Sequence, residues 1–179
     1  MTCIIGTVDG DGNICIAADS SAVDSNIITP HLIPKVFKRG EFAIGYCHSF
    51  RLGQIVEHFF EPPPIEDGLD EDGVVKYMIT EFIPELRGSL EFNDYPTHDD
   101  EKESWSLMVG IRGSIFVIES DFHLGYDEMS YNAIGAGTEY ALGAMFASNE
   151  SGRKLAQRGM EAAAKFCPYV IAPFNYVEV

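Results

Sequence analysis

Two short runs near the N-terminus, Thr2 to Val8 and Asn13 to Ala18, set the tightest limit on what this chain can fold into. Each is apolar or β-branched at nearly every position, and Asp9-Gly10-Asp11-Gly12 separates them. A strand with one wet face alternates apolar and polar residues, so runs without alternation point to burial on both faces. The pair reads as a β-hairpin in the middle of a layered domain, with turn residues that tolerate positive φ. The same turn looks like the start of a calcium loop, Asp9-x-Asp11-x-Asn13. That reading fails, because Ile14 stands where the sharp turn needs glycine and Ser20 where the ion needs a bidentate glutamate.

The rest of the chain sorts into blocks. Residues 20 to 34 are polar and read as a loop or irregular strand leading to Lys35, and Glu41 to Tyr46 reads as a further strand. Leu52, Ile55, Val56, Phe59 and Phe60 fall at helical spacing, with Ser49 as N-cap and Pro62-Pro63-Pro64 as the stop. A second amphipathic helix carries Val74, Val75, Met78, Ile79, Phe82, Ile83 and Leu86, and Pro84 should kink or shorten it. Trp105 to Val109 and Ser114 to Glu119 form a hairpin, which residues 122 to 126 and 131 to 134 can extend into a second antiparallel sheet. Thr138 to Ser148 and Ser151 to Phe166 read as helices, and Val170 to Val179 as a closing strand.

Runs of strands alternating with pairs of helices do not suit a parallel doubly wound sheet. They suit an α+β fold of two packed antiparallel sheets with a helix pair on each outer side, a four-layer αββα sandwich. The 179 residues are read as one domain, 1–179, with residues 61–103 as an acidic helix-loop insertion region.

Charge narrows the partners. With 12 basic against 28 acidic residues the net charge is -16, which argues against nucleic acid or an anionic membrane surface as partner. Half of the acids lie between Glu61 and Glu103, and this stretch reads as a solvated acidic face, the alternative being a docking surface for a basic partner. Cys3, Cys15, Cys47 and Cys167 show no CxxC spacing, and the five histidines show no close metal spacing, so no metal and no cofactor are expected. The absence of a long apolar run or signal-like N-terminus leads to the expectation of a cytoplasmic protein.

Thr2 follows the initiator methionine, and loss of Met1 would leave a threonine with a hydroxyl and a free α-amine on one residue. A hydroxyl is a weak nucleophile and needs a base within reach. An α-amine of pKa about 7.7–8 can serve, the more so if a neighbouring ammonium lowers it. Lys35 could supply that ammonium, Asp19 could hold and balance Lys35, and Gly45 could aim a backbone N–H at a developing oxyanion. The bland alternatives are a surface ion pair for Asp19 and Lys35, and a turn for Gly45.

Thr2-Cys3-Ile4-Ile5-Gly6, Ala17-Ala18-Asp19-Ser20-Ser21-Ala22, Lys35-Val36, Phe42-Ala43-Ile44-Gly45 and the stretch Ala133 to Ala141 resemble the proteasome β-subunit superfamily. Within it they are most similar to the bacterial HslV-type peptidase, nearly end to end. The resemblance implies an N-terminal-nucleophile hydrolase fold and a threonine-type endopeptidase in a homo-oligomeric ring. It also implies peptide or unfolded protein as substrate, and leaves an ATP-driven unfoldase as a candidate partner. Carried over by position, Thr2 is the nucleophile, Asp19 and Lys35 the charged pair and Gly45 the oxyanion glycine. Ala22, Ile33, Phe37, Ala43 and Cys47 would line the pocket for the residue before the scissile bond.

Three departures stand out. Gly135-Ala136-Gly137 replaces the usual Gly-Ser-Gly, whose serine helps hold the N-terminal amine, so a hydroxyl is missing unless Thr138 or another group replaces it. Tyr46-Cys47-His48 is bulkier than the usual small-residue loop, and the acidic region is longer than in the HslV type. These departures motivate a second expectation, a non-catalytic scaffold subunit of the same fold.

Overall fold

The computed structural model describes residues 2–25, 27–97 and 104–179. Strands β1 (Cys3–Val8) and β2 (Ile14–Ala18) form the expected hairpin, buried along almost their whole length. They are the inner strands of a four-stranded antiparallel sheet in the order β10-β1-β2-β11, where β10 is Tyr131–Gly135 and β11 is Asn175–Glu178. A five-stranded antiparallel sheet runs β5 (Val36–Arg39), β6 (Phe42–Cys47), β7 (Ser106–Ile111), β8 (Ser114–Glu119) and β9 (Leu124–Tyr126).

Three apolar clusters hold these elements together. Ile4, Ile14, Ile16, Val36, Ala43 and Met108 pack between the two sheets. The other face of the first sheet, with Ile5 and Ala17, packs on helices α4 (Thr138–Phe146) and α5 (Gly152–Phe166) through Ala141, Met145, Ala156 and Met160. The other face of the second sheet, with Phe42, Ile44 and Phe116, packs on α1 (Phe50–His58), α2 (Glu71–Tyr77) and α3 (Ile83–Phe92). Apolar packing on both faces of β1 and β2 is the physical reason their sequences show no alternation.

Several expectations change. Where a loop or irregular strand was expected, β3 (Ser21–Asp24) and β4 (Ile27–Pro30) pair as antiparallel strands. Pro84 does not end its helix. The turn before it, Met78–Phe82, widens to π-helical spacing, and the run from Glu71 continues to Phe92. This acidic stretch is anchored in the core by Val74, Tyr77, Met78, Phe82, Leu86 and Leu90. Of the helix-loop region expected over residues 61–103, residues 98–103 lie outside the described part.

Residues 131–134 do not extend the second sheet. Strand β10 pairs with β1 instead, Cys3 facing Gly135 and Ile5 facing Ala133. The closing strand is short, because the backbone of residues 171–173 serves Asp19 and Ser20 rather than a ladder. Ile171 N–H donates to Asp19 Oδ2 at 3.4 Å, and the Ile171 carbonyl accepts from Ser20 N–H at 3.0 Å. In the Asp9 turn, the Asp9 carboxylate accepts from the amides of Asp11 and Asn13, closing the loop on itself.

Candidate active site

Thr2 stands at the start of β1, only 4% exposed. Its carbonyl accepts from Ala136 N–H at 2.7 Å, and Gly135, at φ 92, lets β10 turn directly against it. A Cβ on Gly135 would overlap that carbonyl.

Asp19 follows β2 and is fully buried. Oδ1 accepts from Cys3 N–H at 3.0 Å, while Oδ2 accepts from Ser21 N–H at 2.9 Å and Ile171 N–H at 3.4 Å. Three backbone amides therefore share the carboxylate with its charged partner, which satisfies the lone pairs of a buried anion. That partner is Lys35, 1% exposed, whose Nζ lies 2.9 Å from Asp19 Oδ1. The same ammonium donates to Thr2 Oγ1 at 2.9 Å and to Ser21 Oγ at 3.4 Å. Burial pulls the Lys35 pKa below the ordinary lysine value, and the attraction of Asp19 only partly offsets it.

Thr2, Asp19 and Lys35 are thus brought together from three separate elements. Gly45 is placed elsewhere. It lies inside β6 opposite Val36 on one side and Met108 on the other, and a Cβ there would meet Ile4 Cγ2 at 2.6 Å. Tyr46 N–H donates to the Lys35 carbonyl at 3.1 Å, so by the alternation of an antiparallel strand the Gly45 N–H points to β7, away from Lys35. Two residues on from Tyr46 comes His48, past the end of β6, at φ 75 and one residue before the α1 cap Ser49. Its ring Nδ1 lies 3.1 Å from Cys47 Sγ, and burial holds its pKa below the ordinary imidazole value.

The expected lining set also divides. Phe37 belongs to the cluster under α1 to α3, whereas Ala43 and Cys47 face the space between the sheets, and Ile33 is 44% exposed. Side chains alternate across the sheet, so Phe37 and Ala43 cannot line one pocket. Burial pushes the Cys3 thiol up to about 12 and the Cys47 thiol to about 11, which keeps both neutral and poor as nucleophiles. Thr138 Oγ1 donates its one proton to the Gly135 carbonyl at 2.7 Å.

Ser21 is the residue that sequence reasoning passed over. Its one signal was a place two residues after Asp19, the spacing at which an aspartate accepts from a following amide. Among the described residues no group of three or more histidine, cysteine or acidic side chains is arranged to hold a metal ion, and no helix is long and apolar enough to cross a membrane.

No protein-family model and no curated protein sequence matches the chain. Solved structures do. Thiobacillus denitrificans BPH superposes with a TM-score of 0.76 at 22% identity, covering 98% of this chain and 97% of that one, and the same protein was also solved in complex with epoxomicin. Eukaryotic HslV from Trypanosoma brucei gives a TM-score of 0.66 at 16% identity, covering 98% of each chain. The Gly-1 mutant of Anbu from Hyphomicrobium sp. strain MC1 gives 0.64 at 14% identity, covering all of this chain and 82% of that one. The chain therefore shares the fold of the proteasome-type N-terminal-nucleophile hydrolases.

Proposed function

We propose that this chain is a threonine-type endopeptidase subunit with Thr2 as its N-terminal nucleophile once Met1 is lost. The observation that carries the reading is the direct contact of Thr2 Oγ1 with Lys35 Nζ, itself paired with Asp19 in a buried site. The neutral α-amine of Thr2 takes the hydroxyl proton as Oγ1 attacks the substrate carbonyl. The Lys35 ammonium favours the neutral amine and the developing alkoxide alike. The protonated amine then gives its proton to the leaving nitrogen, and water attacks the acyl-enzyme to restore Oγ1.

For the oxyanion we assign the amide of His48 rather than that of Gly45. It follows Tyr46 N–H in phase on the Lys35 side of β6, and it lies at the N-terminus of α1, where the helix dipole favours negative charge.

The three apolar clusters support the finer reading of the fold as a four-layer αββα sandwich in one domain. By the likeness to proteasome-type structures we further propose a homo-oligomeric ring acting on peptide or unfolded protein in the cytoplasm, with an ATP-driven unfoldase as a candidate partner.

Intact mass before and after incubation with epoxomicin tests the reading. The expected result is a chain lacking Met1 that gains one inhibitor mass, with neither adduct nor peptide cleavage in Thr2→Ala. Met1 retained on every chain would overturn it and favour the second reading, a non-catalytic scaffold subunit. Ala136, in place of a serine that would hold the amine, is the observation behind that alternative.

A further inference from the structure

We propose that Ser21 is a positioning residue for the nucleophile: its hydroxyl is the third oxygen around the Lys35 ammonium and fixes the direction in which that ammonium meets Thr2 Oγ1. The catalytic part of this inference rests on the peptidase reading above; the geometric part does not.

A lysine ammonium has three N–H donors and no acceptor. Lys35 Nζ has three oxygens within reach, Thr2 Oγ1 at 2.9 Å, Asp19 Oδ1 at 2.9 Å and Ser21 Oγ at 3.4 Å. One donor can be assigned to each. Asp19, Ser21 and Lys35 are each no more than 1% exposed, so bulk water is not at hand to replace a lost partner. A donor left unmet in such a place is costly, and the ammonium would turn or shift to relieve it. With only Asp19 as a fixed partner, the ammonium could pivot about that bond and leave Thr2.

Ser21 is itself held. Its amide donates to Asp19 Oδ2 at 2.9 Å, and it begins β3 opposite Pro30. One carboxylate thus positions both the lysine and the serine that steadies the lysine. Ala136 brings no hydroxyl to Thr2, and the Thr138 hydroxyl is turned to the Gly135 carbonyl. Ser21 Oγ does reach the ammonium that meets Thr2, at 3.4 Å.

The test uses the full-length protein with Ser21→Ala and the conservative Ser21→Thr, each checked for native unfolding behaviour in urea. Two quantities are read: the titration of Lys35, followed by the NMR shift of its 13Cε, and kcat and KM on a small fluorogenic peptide. Ser21→Ala should move the Lys35 midpoint further down and lower kcat roughly tenfold to a hundredfold, with KM nearly unchanged, since misplacement of a catalytic group acts on the chemical step. Ser21→Thr should restore both. An unmoved Lys35 midpoint in a folded Ser21→Ala protein would overturn the inference, even if the protein proved to be an active peptidase. A moved midpoint in a protein whose wild type cleaves nothing would support the placement of Ser21 and sink the peptidase reading alone.

Discussion

Thr2 Oγ1 and Lys35 Nζ, 33 residues apart in sequence, meet at 2.9 Å inside the protein. This contact makes the hydroxyl part of a charged, water-poor cluster, and it sets the expected pH dependence. In the proposed mechanism the attacking species needs the Thr2 amine neutral, so the rate should fall as pH drops through the amine pKa. The Lys35 ammonium should bring that value below the ordinary 7.7–8 or so. The rate also needs Lys35 charged, and because burial lowers its pKa, the alkaline loss should begin earlier than an ordinary lysine would impose. A bell-shaped profile of epoxomicin labelling against pH is expected; a flat profile from pH 5 to 9 would contradict the assignment of the amine as base.

Asp19 and Lys35 should differ in their cost to stability. Asp19→Ala strands a buried ammonium together with the amides of Cys3, Ser21 and Ile171, and should lose about 3–5 kcal/mol in urea unfolding. Lys35→Met leaves the carboxylate its three amides and should lose less. The folded pKa of Lys35 lies below the unfolded value, so between the two the unfolded chain binds more protons, and stability rises with pH through that window. Lys35→Met should abolish this rise, which denaturation at a series of alkaline pH values would show.

Gly45 and His48 can be separated by exchanging their roles. Gly45→Ala adds a Cβ against Ile4 Cγ2 at 2.6 Å and should cost about 1–3 kcal/mol of stability, through overpacking between the sheets. His48→Gly relieves a non-glycine residue at φ 75 and should stabilise by about 1 kcal/mol while keeping the amide. If the backbone of residue 48 meets the oxyanion, His48→Gly should retain peptide cleavage. Thermal unfolding and kcat on the two variants would show the pattern; loss of catalysis in a more stable His48→Gly would assign the work to the imidazole.

Ala136→Ser adds a hydroxyl to the residue whose own amide already holds the Thr2 carbonyl at 2.7 Å. The change adds one oxygen at a half-buried position, and we expect a gain in kcat/KM of about tenfold, or roughly 1.4 kcal/mol in the transition state. An unchanged rate in this variant would show that another group already holds the amine.

How far the sequence could be read follows from the range of the physics involved. Unbroken burial of β1 and β2, the Ser49 cap of α1 and the spacing of α4 and α5 depend on neighbours a few residues away, and those elements were legible. The destination of β10 was not, since Tyr131 to Gly135 is compatible with either sheet and only packing against β1 decides it. Nor was the fate of Pro84, where packing of Met78, Phe82 and Leu86 in the core keeps the helix going through a π-helical turn.

The site divides along the same line. Residue types alone made Thr2, Asp19 and Lys35 candidates, because a nucleophile, a cation and its counter-ion are chemically few in kind, and their positions matched a known pattern. Which amide faces the nucleophile, and which hydroxyl steadies the lysine, depend on strand phase. A shift of one residue reverses the direction of every N–H, so Gly45 points to β7 while Tyr46 serves Lys35. Ser21 entered the site because β3 begins there and Asp19 holds its amide, and that juxtaposition exists only once the chain has closed on itself.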